Sequence, residues 1–123
     1  MNFNYLKYIS YFLDSKKDFT VRFTKNNNLI IPNCGFIVSI TPLLKINMDL
    51  NSILNYIERN STIKVFNEVY PLYVGGWFRD NNFNLDISIV ENNRQKAINI
   101  GRYCNQKAIY DIENKITIYL NKR

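Results

Sequence analysis

YVGGWFRDNNFNLDIS, residues 73–88, places two of the chain's four glycines directly before its only tryptophan and follows them with Asp-Asn-Asn. Paired glycines suit either a phosphate-cradling loop or a plain β-hairpin. The GxGxxG and GxxxxGK[ST] spacings are both missing, so the loop reading has no phosphate motif behind it. Alternation on either side of the asparagines predicts the hairpin. With Asn81-Asn82 as a two-residue turn, Trp77 faces Asp86 and Phe78 faces Leu85. Phe78, Leu85 and Ile87 then line the core side. Trp77, Arg79, Asn84, Asp86 and Ser88 line the other, where Arg79 is placed to pair with Asp86 and Trp77 needs a covering element or a partner. Gly75 and Gly76 read as a bulge or a close backbone approach.

Downstream of the hairpin, Ala97, Ile100, Gly101 and Cys104 keep helical spacing, with a start at Asn92 or Asn93 and an end at Asn105. KAIYDI and KITIYL alternate around Glu113-Asn114 and predict a closing hairpin. Residues 73–120 therefore read as ββαββ.

Upstream, NYLKYISYFLDS carries Tyr5, Leu6, Ile9, Phe12 and Leu13 as one helical stripe, with Tyr8 and Tyr11 off it as aromatic surface. FTVRFT alternates as a half-buried strand, Asn26 to Asn28 form a turn, and Leu29–Ile31 and Phe36–Ile40 predict two short strands divided by the Pro32–Gly35 loop. These three strands read as a small meander. Asp49 caps a helix whose stripe is Leu50, Ile53, Leu54 and Ile57. Residues 61–72 read as a connector with at most a short strand at Ile63 to Phe66, since Pro71 disfavours regular structure just before it. The predicted fold is α+β, one compact domain over residues 1–123, with helix, meander and helix in 1–72 and the ββαββ module in 73–120.

A chain of 123 residues, 46% apolar and 15% aromatic, has the length and composition of one globular domain rather than a disordered tail. Its net charge of +6 argues against mimicry of DNA, which needs dense negative charge. That charge suits nucleic acid, an anionic membrane surface or an acidic protein partner, but it is spread evenly along the chain, as in generic solubility. No apolar run approaches the roughly 18 residues of a membrane span, and Lys7 and Asp14 interrupt the only early apolar stretch. The expectation is a cytoplasmic protein without membrane contact, whose two cysteines, Cys34 and Cys104, are reduced.

There is no histidine. That removes the commonest general base, the Ser-His and Cys-His pairs, and most zinc and iron sites. Asp80, Asp86 and Glu91 cluster around one hairpin, and carboxylate pairs about 5 to 9 Å apart serve hydrolases, yet acids near a turn are ordinarily solvated. Cys104 falls on an apolar helix face and Cys34 lies in a loop without a histidine partner. No catalytic residue, metal ligand or cofactor is predicted. Tyr8, Tyr11, Trp77, Tyr110 and Tyr119, among Arg79, Arg94 and Lys107, offer stacking faces for nucleic acid or hot spots for a protein partner. The candidate partner-binding residues are Trp77, Arg79, Asp86, Tyr8, Tyr11 and Arg94.

The elements VGGWFRDNNFNLDIS, NNRQKAINIGRYC and NQKAIYDIEN, with GFIVSI upstream at residues 35–40, resemble a small module of phages and other mobile elements. Its pattern is a GGW-type strand, an L-D-x-S strand, a helix and an N-Q-x-A-I-x-D hairpin, here over residues 74–118. The resemblance assigns no activity to any residue. It implies an accessory protein that works by binding a host protein or ribonucleoprotein, such as an anti-CRISPR or other counter-defence inhibitor. A nucleic-acid-binding accessory protein is the alternative.

Overall fold

Chain order is α1 (Phe3–Ser15), β1 (Phe19–Phe23), β2 (Leu29–Ile30), β3 (Phe36–Ser39), α2 (Leu50–Arg59), β4 (Thr62–Val65), β5 (Glu68–Pro71), β6 (Tyr73–Arg79), β7 (Asn82–Glu91), α3 (Arg94–Tyr103), β8 (Ala108–Asp111) and β9 (Ile116–Tyr119). The structure, a computed structural model, describes residues 3–24, 26 and 28–120, with side chains from residue 7 onward. The side chains of Tyr5 and Leu6, and Asn27 of the asparagine turn, lie outside the described part.

The fold is α+β. Seven strands form one antiparallel sheet in the order β2-β1-β6-β7-β3-β8-β9, and β4 and β5 form a separate hairpin. The meander expected in the N-terminal half is corrected by this order. β1 pairs with β2, but β3 leaves them and inserts between β7 and β8. Phe36, Ile37 and Val38 are apolar at consecutive positions, as suits a strand with neighbours on both sides. Residues 31–35 must therefore carry the chain from one edge of the sheet past β1, β6 and β7.

β6 and β7 form the expected hairpin with a different turn. Asp80 and Asn81 occupy it, both left-handed at φ 53° and 65°, and Arg79 pairs with Asn82. A two-residue turn of this hand needs two successive positive φ values, which Asp and Asn tolerate. Trp77 consequently faces Asn84, and Asp86 faces Gly75. Moving the turn by one residue shifts the pairing by two, so each side chain keeps its expected face. Pairing runs unbroken through both glycines, which excludes the bulge and leaves close approach as their role. A Cβ on Gly76 would overlap the Phe19 ring, and one on Gly75 the Asp86 carboxylate.

Residues 61–72 are not a connector. β4 and β5 pair in register from Thr62–Pro71 to Val65–Glu68 around Phe66-Asn67, whose φ values are 49° and 67°. Pro71 is tolerated because it is the last residue of a two-stranded ribbon, where no further ladder bond is required of it. The hairpin is fastened by Tyr70, whose hydroxyl bridges Glu91 and Glu68. Glu68 in turn accepts from Lys96 Nζ at 2.6 Å, and Glu91 accepts from the Asn93 backbone N–H at 2.7 Å.

The three helices share one face of the large sheet. Ile9 of α1, Ile53, Leu54 and Ile57 of α2, and Ala97, Ile100 and Cys104 of α3 are buried against Val21, Val38, Val74, Ile87, Ile89 and Ile109. Phe12 stacks on Phe19 with ring centroids 4.9 Å apart, which seats α1 on β1. Asp49 caps α2 by accepting from Ser52 N at 2.9 Å, and Asn93 caps α3 through Lys96 N at 3.0 Å. Asn105, at φ 57°, ends α3 as expected. Among the described residues no helix is long and apolar enough to cross a membrane.

Gly101 lets α3 settle close to the sheet. Alanine ordinarily gains up to about 1 kcal/mol over glycine inside a helix, but here its Cβ would stand 2.7 Å from Leu120 Cδ1 and 3.0 Å from Ile109 Cγ2. Gly101→Ala is expected to lower the melting temperature. A rise would show that Leu120 and Ile109 yield without cost.

Candidate functional site

An antiparallel sheet with helices on one side usually shows water a polar face on the other. Strand alternation decides which residues go there. In this chain they include Ile37, Tyr73, Trp77, Val90 and Tyr110, beside Thr20, Ser39, Asp86 and Ser88. Tyr73 is nearly covered, with the Arg22 guanidinium 5.8 Å above its ring. Ile31 and Pro32 line the same depression as Trp77, Ile37, Thr20 and Tyr110, of about 300 Å³. The crossing segment 31–35 thus passes over the helix-free face and walls it.

Beside this depression lies a second, of about 100 Å³, in which Ile37, Trp77 and Tyr110 meet Ser39, Asp86 and Ser88. Trp77 Nε1 donates to Asp86 Oδ2 at 3.2 Å, and Ser88 Oγ donates to Oδ1 at 3.2 Å. Burial of the carboxylate pushes its pKa up, opposed by the hydrogen bonds from Trp77, Ser88 and Ser39. The expected pairing of Arg79 with Asp86 is corrected. Arg79 is exposed near the hairpin end and its guanidinium lies 5.8 Å from the centre of the Trp77 ring. Among the described residues, Asp86 has hydrogen bonds from neutral donors and no ion pair.

This charge state has a consequence for stability. Asp86 has a raised pKa in the fold, so the folded chain holds that proton more tightly than the unfolded chain does. Its contribution is most favourable below the ordinary carboxylate range and is lost as pH rises through the folded value. Asparagine keeps an acceptor for Trp77 without the charge. Asp86→Asn is therefore expected to resist urea better than the parent at pH 7, with the advantage shrinking toward pH 4. A less stable variant at pH 7 would mean that the carboxylate is a structural anchor.

The six candidate residues do not form one surface. Trp77, Arg79 and Asp86 share the helix-free side of the β6–β7 hairpin. Tyr8 and Tyr11 sit on α1, which packs on the opposite face; Tyr8 leans on Phe23 at 5.7 Å and Tyr11 is 66% exposed. Arg94 is exposed in the first turn of α3, where its charge helps lower the pKa of Asp111 behind the larger effect of Asn114. The acidic cluster Asp80, Asp86 and Glu91 also separates in space. Asp80 is in the exposed turn, Asp86 faces the groove, and Glu91 points to the helix side with Tyr70. Cys104 is buried, and burial pushes its thiol up to about 11, whereas Cys34 is exposed.

Ile37, Ile31 and Pro32 are groove residues that the sequence does not single out. They come from the segment that crosses the sheet, and nothing local to it signals that path. Tyr110 is legible as an aromatic on an alternating strand, though not as a neighbour of Trp77. Comparison of the chain with protein-family models, curated proteins and solved structures returns no match.

Proposed function

We propose that the chain acts by binding a protein through its helix-free sheet face, as an accessory protein of a phage or other mobile element with a counter-defence role of the anti-CRISPR kind. The observation that carries the binding reading is the Trp77–Ile37–Tyr110 groove with Asp86 beneath it. Aromatic side chains around a desolvated polar group are what a protein hot spot is made of. The mobile-element setting rests on the resemblance of residues 74–118, and binding without catalysis on the absence of histidine. A carboxylate in the groove argues against a phosphate backbone lying there, since the two repel.

The test is the plating efficiency of phage on cells carrying one defence system at a time, with and without the chain. Rescue against one system supports the reading and names the complex in which to seek direct binding. No rescue across a broad panel, with soluble expression verified, overturns the counter-defence role. Binding whose affinity falls steeply with salt and ignores Trp77 would instead support nucleic acid as the partner.

A further inference from the structure

We infer that the Asp86 pocket receives an arginine side chain projecting from the partner protein, an inference that rests on the binding reading just given. The pocket holds about 100 Å³, the space of roughly three water molecules. That is room for a guanidinium head, and well below the roughly 300 Å³ at which small-molecule sites begin. Its base is a carboxylate held by neutral donors, Ser88 Oγ and Trp77 Nε1 at 3.2 Å and the Ser39 side chain. A carboxylate accepts about four hydrogen bonds, so an acceptor position remains for a guanidinium N–H. Trp77 and Tyr110 line the pocket with aromatic surface, and arginine, planar and weakly hydrated, stacks on such surface better than lysine does.

Charge selects the same occupant. A carboxylate partly withdrawn from water is ordinarily paired with a cation, and the residue placed by sequence to do this, Arg79, lies over the Trp77 ring instead. Lys96, by contrast, is paired with Glu68 at 2.6 Å on the other side of the sheet. On a chain of net charge +6, the groove is a place where an incoming arginine meets an unpaired negative group. An acidic partner residue would meet repulsion at the same spot.

Trp77 is the only tryptophan, so the pocket carries its own reporter. The full chain is titrated with N-acetyl-arginine amide while tryptophan fluorescence and the single indole N–H resonance are followed. A saturable change with Kd on the order of millimolar is expected, at least tenfold weaker for Asp86→Asn and absent for the neutral isostere N-acetyl-citrulline amide. No saturable change in either signal overturns the inference, as does an equal response to citrulline or in Asp86→Asn. Equal or tighter binding of N-acetyl-lysine amide overturns the choice of guanidinium. The indole resonance of the parent chain decides the matter even if Asp86→Asn fails to fold. If arginine does not bind while Trp77→Ala still abolishes phage rescue, the pocket is wrong and the face is right; if arginine does not bind and Trp77→Ala leaves rescue intact, the binding reading for this face falls as well.

Discussion

Trp77→Ala is expected to weaken binding of the partner by about thirtyfold or more and to abolish rescue in the plating assay. Hot-spot tryptophans in interface centres typically contribute about 2 kcal/mol or more, and each 1.4 kcal/mol is about tenfold in affinity. Trp77 meets the structural conditions for that effect. It is half-buried, it lines both depressions of the helix-free face, and its indole N–H holds the Asp86 carboxylate at 3.2 Å. Trp77→Phe separates two contributions, because it keeps an aromatic wall but removes that hydrogen bond. Intermediate binding by the phenylalanine variant is the expected result, measured by calorimetry against the complex identified in the plating assay. Full binding by both variants, with circular dichroism showing them folded, moves the interface off this face.

Ile89→Ala is expected to produce the largest loss of folding stability, about 3 kcal/mol, which lowers the melting temperature by roughly 10 °C in a domain of this size. Ile89 is fully buried on β7, which is flanked by β6 and β3, and it pairs with Val38 beneath the helices. Neighbours on all sides leave the cavity little room to collapse. Ile116→Ala on the edge strand β9 is the control: its side chain is 49% exposed and the change should stay within about 0.5 kcal/mol. Similar losses for the two would mean that the core does not lie where these strands and helices place it.

Both expectations rest on strand faces, and those were readable because side chains alternate along a strand whatever it pairs with. Trp77 and Asp86 keep the same face under the expected turn at Asn81-Asn82 and the observed one at Asp80-Asn81, so the slip cost the pairing partner and not the face. The helices over residues 50–59 and 94–103 were equally legible, since Asp49 and Asn93 cap them and the apolar stripe has one period. Phe66-Asn67 shows the opposite case. Nothing in that pair marks a turn of two left-handed residues, because phenylalanine rarely adopts that conformation, and the hairpin over residues 62–71 was hidden behind it.

Local periodicity and capping residues determined the α+β class and the ββαββ order of the second half, and the missing histidine excludes histidine-based chemistry. These are properties of neighbouring residues and survive any arrangement of the elements. Strand order is different, because each strand's alternation is satisfied by many partners and only the joint burial of Val38, Ile87, Ile89 and Ile109 under three helices selects β3 for the place between β7 and β8. That placement sends residues 31–35 over the open face, brings Ile37 and Tyr110 beside Trp77, and leaves Asp86 half-buried without the arginine that lies seven residues before it in the chain. The groove is made of contacts between residues distant in sequence, and packing alone brings them together.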